Sequence, residues 1–416
     1  MPDALQGEPP QVWILELSAS AIPSPTADSP RIFGLTSVER LERTLDRVPN
    51  AGIRRIRPES ISALPVPRRV VVLRADYFYD ERLVQELMRA EDTLLSIPSA
   101  DRPQGEPIAA NVYGDDAMAI TEVLERAATG ELRDVPSEIT QREPLDLVPA
   151  YNSQLRKFDP PFLFTARADM VHEAEDRVFA ASYKGITDFI TKHVFPRPAL
   201  AVVRILARRG VRPNTVTLWS YGLTGLVILA FAWGWFITGL LAAWLMTFLD
   251  TVDGKLARVT LTSSRLGGFL DHALDLVHPP IWWWAWGVGI GLGLAGIEAC
   301  LWIIVGGYVL GRILEGIFLA WFKMEMFTWR PFDAQFRAVI ARRNPNLLLL
   351  SIGAAFGKPA WGYMAVAAWT LVCIGVALVR IGQAGAVRLR GQPVRPWYEE
   401  SHPASTPRRA DPSGGG

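Results

Sequence analysis

Long apolar segments separated by short polar ones make up the C-terminal half of the chain. Six windows have the apolar composition of membrane-crossing helices, and most have the roughly 17 to 25 residues that a span requires; they lie at 216–236, 237–258, 267–292, 297–322, 346–356 and 361–381. The fifth window is short unless its helix extends back through residues 336–343. The pattern predicts an all-α, six-helix transmembrane bundle at residues 213–382.

The N-terminal part of the chain shows short apolar, β-branched runs that alternate with helix-like segments. The strand-like runs lie at 12–17, 31–35, 69–75 and 93–98, and the helix-like segments lie at 37–47 and 80–89. Strands that alternate with helices indicate βα units on a mostly parallel sheet. We therefore expect a soluble α/β domain at residues 1–150, which makes the protein multi-domain.

Two further segments lie between these domains, and one follows them. Residues 151–177 continue a proline-rich stretch of mixed charge, which is typical of a linker. Residues 178–212 place apolar positions such as Val203 beside basic ones such as Arg204, so we predict interfacial helices that lie on a membrane surface. Residues 383–416 are rich in Pro, Ser and Gly, which predicts a disordered tail.

The composition favours a membrane protein, because 50% of the residues are hydrophobic and 15 are Trp. The formal net charge of +1 gives no reason to expect a nucleic-acid partner. Basic residues cluster after the second, fourth and sixth apolar windows. The positive-inside rule then places both termini and the loop after residue 258 in the cytoplasm. We expect an integral protein of the inner or cell membrane with six spans.

Four aspartates, at 250, 253, 271 and 275, lie inside or beside apolar windows, where a carboxylate is costly unless it has a partner. Asp250 and Asp253 are three residues apart and Asp271 and Asp275 are four apart, so each pair lines one helix face. If a turn at 260–265 makes the two helices antiparallel, all four carboxylates point into one space. They would repel one another unless divalent cations lie between them.

The spacing of these aspartates, D-x-x-D-G-x-x-A-R followed by G-x-x-x-D-x-x-x-D, resembles the signature of the CDP-alcohol phosphotransferase (CDP-alcohol phosphatidyltransferase) family. The matching residues are Asp250, Asp253, Gly254, Ala257, Arg258, Gly267, Asp271 and Asp275. The resemblance covers about residues 180–382. It includes Asn214 and Thr217, which are similar to the Pro-Asn-x-x-Thr entry into the family's first span.

The resemblance implies an enzyme that moves a substituted phosphate from a CDP-linked donor to the hydroxyl of a polar alcohol and releases CMP. It implies two Mg²⁺ or Mn²⁺ ions held by Asp250, Asp253, Asp271 and Asp275, with Asp275 as ligand or as general base. It also implies a homodimer. The residues expected to contact the nucleotide are Asn214, Thr217, Gly254, Ala257, Arg258 and Gly267.

Other interpretations of this region remain open. The donor that we favour is CDP-diacylglycerol, in phospholipid biosynthesis, because a lipid has access to a site among membrane spans; a CDP-inositol type of donor is the alternative. A non-enzymatic scaffold or cation-binding protein explains the carboxylates but not Gly254, Ala257 and Arg258 at their spacing.

Three arginines are candidates for the acceptor or for its phosphate. Arg312 is three residues from Glu315, so it either faces the acceptor or pairs with that glutamate. Arg342 and Arg343 begin the fifth window, where we favour membrane anchoring over a phosphate pocket.

The N-terminal domain resembles a sugar-phosphate nucleotidyltransferase over residues 37–56, a helix followed by a strand, and over residues 70–87, where Asp76 follows a strand. In that family an aspartate at this place helps to hold a metal ion. The loop after the first strand, residues 18–31, contains no glycine, although close approach of backbone N–H groups to a triphosphate requires one. We therefore expect this domain to be catalytically inactive.

Overall fold

The computed structural model describes residues 10–17, 29–48, 52–57, 60, 67–99, 102–131, 135–263, 265–294 and 296–398, with all their side chains except those of residues 99, 102–104, 265–267 and 269–274. The side chain of Asp271, the position of Gly267 in the site, residues 18–28 of the glycine-free loop and residues 399–416 of the tail therefore lie outside the described part.

The described residues contain an N-terminal α/β region followed by a helical region. The strands are β1 (Gln11–Leu15), β2 (Gly52–Ile56), β3 (Arg69–Arg74), β4 (Tyr77–Tyr79), β5 (Thr93–Ser99), β6 (Arg102–Tyr113), β7 (Thr140–Arg142), β8 (Tyr151–Asn152), β9 (Lys157–Phe158) and β10 (Leu163–Thr165). The helices of the α/β region are α1 (Ser37–Leu45), α2 (Glu81–Leu87), α3 (Gly114–Thr129), α4 (Pro144–Leu147) and α5 (Val171–Ala181). The later helices are α6 (Pro196–Arg208), α7 (Pro213–Ala232), α8 (Phe236–Val259), α9 (Arg265–Ile290), α10 (Ile297–Phe322), α11 (Pro331–Phe336), α12 (Arg343–Ala355) and α13 (Pro359–Leu389).

The main sheet confirms the α/β prediction but is mixed. Its strand order among the described residues is β2-β1-β3-β6-β5-β7. Strand β1 pairs in parallel with β2 and β3, whereas β6 is antiparallel to both β3 and β5. The sequence pattern missed β6 because Gly105 and Pro107 interrupt it, and both residues are unusual inside strands.

The predicted strand at 31–35 is wrong. Ile32 and Leu35 form an isolated bridge around a tight turn, in which Phe33 and Gly34 have positive φ. Ile32 and Phe33 are nevertheless fully buried, and the Phe33 N–H donates to the Glu175 carboxylate at 3.1 Å. The apolar run is buried as a turn against α5 and α6, which a count of apolar residues does not distinguish from a strand.

The segment predicted as a linker, 151–177, is structured. Strand β10 pairs antiparallel with β4, and Arg177 on α5 donates to the buried Asp159 carboxylate at 2.7 Å. These long-range contacts attach the segment to the α/β region, and composition alone does not reveal them.

Helix α6 lies in the segment predicted to be interfacial, but its apolar face is covered by protein. Ala199, Val203 and Ala207 are buried together with Phe33 and with Val252 and Leu256 of α8. An amphipathic pattern shows that a face is covered without showing what covers it. The assignment of this face to the membrane surface is therefore wrong.

Helices occur at all six predicted membrane windows. Among the described residues, α7, α8, α10 and α13 are long and apolar enough to cross a membrane. The fifth window, helix α12, has 13 residues and begins at Arg343, so it does not extend back through 336–343. Pro345 in its first turn suits a helix start, because the N–H groups of the first turn have no intrahelical partner and proline lacks that group. Six spans remain a prediction.

The helical region continues beyond the predicted end of the bundle at 382. Helix α13 runs to Leu389, and farther on Tyr398 stacks on Tyr151 with ring centroids 4.2 Å apart. The prediction of disorder is therefore wrong for residues 383–398, where a ring contact with the α/β region orders a Pro-containing segment.

Close packing of α12 on α13 sets the position of the first residue of α12. A Cβ atom on Gly353 would lie 2.6 Å from the Cα atom of Gly362, so neither helix tolerates a side chain at this crossing. Two glycines thus bring the helices together, as small residues do between membrane helices. The N-terminus of α12, with Arg343, is held beside α8, with which α12 also packs.

Candidate active site

Arg343 joins two of the predicted site aspartates. Its Nη2 atom donates to Asp250 Oδ2 on α8 at 2.6 Å, and its Nη1 atom donates to Asp275 Oδ1 on α9 at 2.7 Å. One guanidinium therefore neutralises carboxylates from two helices while belonging to a third. The predicted roles for Arg343, an anchor or a phosphate ligand, did not include this contact.

Asp253 is the most buried described carboxylate of the motif, with 4% of its surface exposed. The Thr217 hydroxyl on α7 donates to its Oδ2 atom at 2.6 Å. A buried carboxylate is tolerated only with such donors, because it has lost its hydration. Thr217 and Asp253, separated by 36 residues, thereby tie α7 to the motif segment of α8.

Five of the six residues predicted to contact a nucleotide, all except Gly267, surround one cavity of about 140 Å³. Its walls come from the start of α7, the end of α8, the following turn and the start of α9: Pro213, Asn214, Thr217, Asp253, Gly254, Ala257, Arg258, Thr262, Ser263 and Gly268. A Cβ atom on Gly254 would meet nothing within 4 Å. The open space above this glycine is what a ligand packed on the helix backbone needs.

Helix α5 ends against the basic side of this cavity. The Ser182 carbonyl accepts from Arg258 Nη1 at 2.7 Å and from Lys255 Nζ at 2.9 Å. The Lys255 ammonium also lies 3.5 Å from the centroid of the Tyr183 ring. The sequence analysis did not single out Lys255, although a lysine inside an apolar window is itself a signal of a specific partner.

The three described motif aspartates supply the hard oxygen donors that Mg²⁺ and Mn²⁺ prefer. The described side chains contain no group of three or more His, Cys, Asp or Glu residues close enough to hold a metal ion. The Asp271 side chain lies outside that description, and Arg343 already supplies positive charge between Asp250 and Asp275. The donor chemistry fits the predicted ions, and their binding remains a prediction.

Arg312 and Arg342 meet at a second, smaller cavity. Both pair with Glu315, at 3.2 Å and 2.8 Å respectively. Arg337 was not among the predicted site residues. Its burial, together with the nearby charge of Arg342, lowers its pKa to about 9. The position of Arg337, in turns between α11 and α12, gave no periodic signal that could have identified it.

Tyr308, which lines the second cavity, contacts the motif segment of α9. Its hydroxyl donates to the Leu276 carbonyl at 3.2 Å, next to Asp275. The Arg312 guanidinium lies 5.6 Å from the centroid of the same ring. The structure thus brings Arg312 and Arg342 together beside the aspartate site and places Arg343 inside it.

Residues 211–381 match the model of the CDP-alcohol phosphatidyltransferase family. This part of the chain is a CDP-alcohol phosphatidyltransferase domain, as the motif predicted, and members of the family are phosphotransferases. The match does not extend to the α/β region, whose likeness to a nucleotidyltransferase remains a prediction.

Two curated relatives share part of the chain. A bifunctional IPC transferase and DIPP synthase of Thermococcus kodakarensis is 29% identical over 171 residues, which are 39% of this chain and 36% of the relative. A phosphatidylinositol phosphate synthase of Streptomyces avermitilis is 37% identical over 97 residues, which are 23% of this chain and 39% of the relative. The chain therefore spans well under half the length of these relatives.

A crystal structure of Mycobacterium tuberculosis phosphatidylinositol phosphate synthase with CDP-DAG bound is also similar. It is 17% identical, covers 44% of this chain and 94% of its own, and has a TM-score of 0.36. This similarity is too low to support a conclusion about fold or ligand.

Replacing Thr217 by Val should destabilise the protein by about 2 kcal/mol, because the buried Asp253 carboxylate loses a charge-assisted hydrogen bond. Thermal unfolding in detergent measures the effect as a lower Tm. Thr217→Ser keeps the hydroxyl and should unfold close to wild type. Thr224→Val on the same helix removes only a bond to the Ser220 carbonyl and serves as the matched control. Equal Tm values for Thr217→Val and Thr224→Val would contradict this account of Asp253.

Proposed function

We propose that this protein is an integral membrane CDP-alcohol phosphotransferase. It transfers a substituted phosphate from a CDP-linked donor to the hydroxyl of a polar alcohol and releases CMP, in phospholipid biosynthesis. The observation that carries the proposal is the single cavity formed by the motif residues Gly254, Ala257 and Arg258 beside Asp253. A scaffold or cation-binding protein has no need of this cavity.

In this proposal the nucleotide occupies the cavity. The backbone of α8 at Gly254 and Ala257 offers a surface without bulky side chains, and Asn214, Thr217 and Gly267 contribute the other contacts. Arg258 is held by the Ser182 carbonyl and presents a permanent positive charge to the phosphates. Asp250, Asp253, Asp271 and Asp275 would hold two Mg²⁺ or Mn²⁺ ions, and the chemistry supplied by such ions would be charge neutralisation at the pyrophosphate.

Among the motif carboxylates whose side chains the structure describes, Asp275 is best placed to take a proton from the acceptor. Its side chain is 42% exposed, whereas that of Asp250 is 13% exposed and Asp253 is buried. Only an accessible carboxylate can come within hydrogen-bond distance of an incoming hydroxyl. Arg343 holds one oxygen of Asp275 and so orients the group.

The acceptor that the second cavity suits best is an anionic polar alcohol, such as inositol phosphate or glycerol phosphate. Arg312 and Arg342 share the single carboxylate of Glu315, and the partly buried Arg337 adds another positive charge. An excess of guanidinium groups over carboxylates favours a phosphate. The name of the Streptomyces relative, a phosphatidylinositol phosphate synthase, agrees with this choice.

The donor that we propose is CDP-diacylglycerol. Leu218 and Trp219 are at least half exposed and directly follow Thr217 at the cavity, so the acyl chains of a membrane lipid can lie along α7. A CDP-inositol type of donor is the alternative. We further propose six spans, cytoplasmic termini and active site, and a homodimer in the inner or cell membrane.

Purified full-length protein with radiolabelled CDP-diacylglycerol, Mg²⁺ or Mn²⁺ and separate candidate alcohols should form labelled lipid with a phosphorylated acceptor. The excess of arginine at the second cavity is the physical reason for this preference. Parallel reactions with CDP-inositol test the alternative donor. If no CDP-linked donor is turned over with any acceptor, the proposed function is wrong and a scaffold or cation-binding role is favoured.

The Asp275→Asn variant should release CMP at least about 100-fold more slowly than wild type, because an amide cannot accept the proton. Glu298→Gln, which changes an exposed carboxylate at the start of α10, is the control and should keep wild-type activity. CMP release by Asp275→Asn at the wild-type rate would exclude Asp275 as general base.

The α/β domain should not convert CTP and a sugar or inositol phosphate into a CDP-alcohol. Both carboxylate oxygens of Asp76 accept from the Arg74 guanidinium, at 3.0 Å and 2.6 Å, so the residue predicted to hold a metal ion is already paired. Chromatography of full-length protein incubated with CTP, Mg²⁺ and each phosphate is the measurement. Detectable CDP-alcohol would show that the domain is active.

A further inference from the structure

Three arginines on and just after α1 contact the end of α8 and the turn that follows it. Arg40, Arg43 and Arg47 occupy one face at i, i+3 and i+7. Arg40 Nη1 donates to the Val259 carbonyl at 2.7 Å and Arg43 Nη1 to the Thr260 carbonyl at 2.7 Å. Arg47 Nη2 lies 3.1 Å from the hydroxyl oxygen of Ser263. The α/β domain therefore contacts the turn between α8 and α9 directly.

These contacts complete the hydrogen bonding at the end of α8. The Leu256, Ala257 and Arg258 carbonyls accept from the backbone N–H groups of the turn, at 260, 262 and 261 respectively. The next two carbonyls, of Val259 and Thr260, are the ones that Arg40 and Arg43 take up. Cations at a helix C-terminus also interact favourably with its dipole.

The turn needs this support because its backbone is strained. Leu261 has a φ of 57° at the position where helices of this termination pattern usually place glycine. The left-handed region is unfavourable for leucine, because its Cβ atom comes too close to the following carbonyl oxygen. Such a conformation persists where the surroundings determine it, and the two guanidiniums bind the carbonyls immediately before Leu261.

The same turn forms one wall of the candidate nucleotide cavity. Ala257 and Arg258 lie in the last turn of α8, and Thr262 and Ser263 follow Leu261. A shift of the turn moves cavity-lining atoms on both sides of Leu261. The second cavity, at Arg312 and Arg342, is lined by residues of other elements and contains no residue of this turn.

The contact between α1 and the end of α8 is buried, so α1 is packed against this helix end and is more than a flexible connection. Arg40 is only 7% exposed and Val259 only 1%. Val259 belongs to an apolar cluster that also includes Ile32 and Phe78 of the α/β region. Burial lowers the pKa of Arg40 to about 10, which leaves it charged at neutral pH.

We propose that Arg40 and Arg43 are positioning residues for the nucleotide cavity, and that the α/β domain acts as a clamp on the α8–α9 turn. The proposal rests on the proposed function for its kinetic consequences. Neither arginine lines the nucleotide cavity. Their effect is on the affinity for the CDP-linked donor, through the positions of Arg258, Thr262 and Ser263.

Kinetics of full-length Arg43→Ala and of the Arg40→Ala/Arg43→Ala double variant test the clamp. We expect the double variant to raise the KM for the CDP-linked donor about tenfold, as the loss of charged hydrogen bonds predicts. The KM for the acceptor should stay within about twofold of wild type. Arg43→Ala alone should show a smaller rise in the same direction, and Arg40→Lys/Arg43→Lys should restore much of the affinity.

Arg55→Ala is the matched control. Arg55 lies on β2 and pairs with Glu42 of α1, at 2.7 Å and 2.8 Å, and it is half exposed. Its loss removes an ion pair from α1 without touching the turn, so the donor KM should not change. Equal changes in donor and acceptor KM, or the same change in Arg55→Ala, would show that α1 has only a general structural role.

Hydrogen exchange separates failure of the clamp from failure of the proposed function. The Leu261 and Thr262 amides should exchange about tenfold faster in Arg43→Ala than in wild type, since both amides lie in the released turn. This measurement needs no turnover. Unchanged exchange at these amides in Arg43→Ala overturns the clamp, whereas faster exchange in a protein that turns over no donor supports the clamp and rejects the phosphotransferase.

Discussion

The pairing of Arg343 with Asp250 and Asp275 is the contact on which the site depends. Two carboxylates that face each other in a membrane domain repel and are poorly solvated, so helices α8 and α9 need a positive charge between them. Arg343 supplies that charge from a third helix. Its position depends in turn on the close approach of Gly353 to Gly362, at the other end of α12.

The composition of the motif was predictable from sequence, whereas its pairing was not. Helical spacing placed Asp250 and Asp253 on one face, and the structure has both on α8. Arg343 is 93 residues from Asp250 and 68 from Asp275, and an arginine at the start of a helix is equally typical of a membrane anchor. The choice between these roles is made by helix packing, which has no local signature.

The fold was predictable where local patterns decide and failed where tertiary contacts decide. Alternation of strands and helices found β1, β3, β5, α1 and α2. It missed α3, although Asp115 in its first turn and the left-handed Gly130 after it are helix signals. The apolar face of α6 was recognised but assigned to lipid, because hydrophobicity alone cannot tell a membrane surface from a neighbouring helix.

The contacts of α1 give the α/β domain a structural role that requires no catalytic chemistry. A helix end leaves its last carbonyls unpaired, and in a soluble protein water can satisfy them. Val259, at the end of α8, is buried. A protein donor therefore has to replace water at the Val259 and Thr260 carbonyls. Arg40 and Arg43 are such donors. In the proposed clamp, the α/β domain fixes the conformation of the α8–α9 turn, whose side chains line the candidate nucleotide cavity. This role does not require the domain to catalyse a reaction.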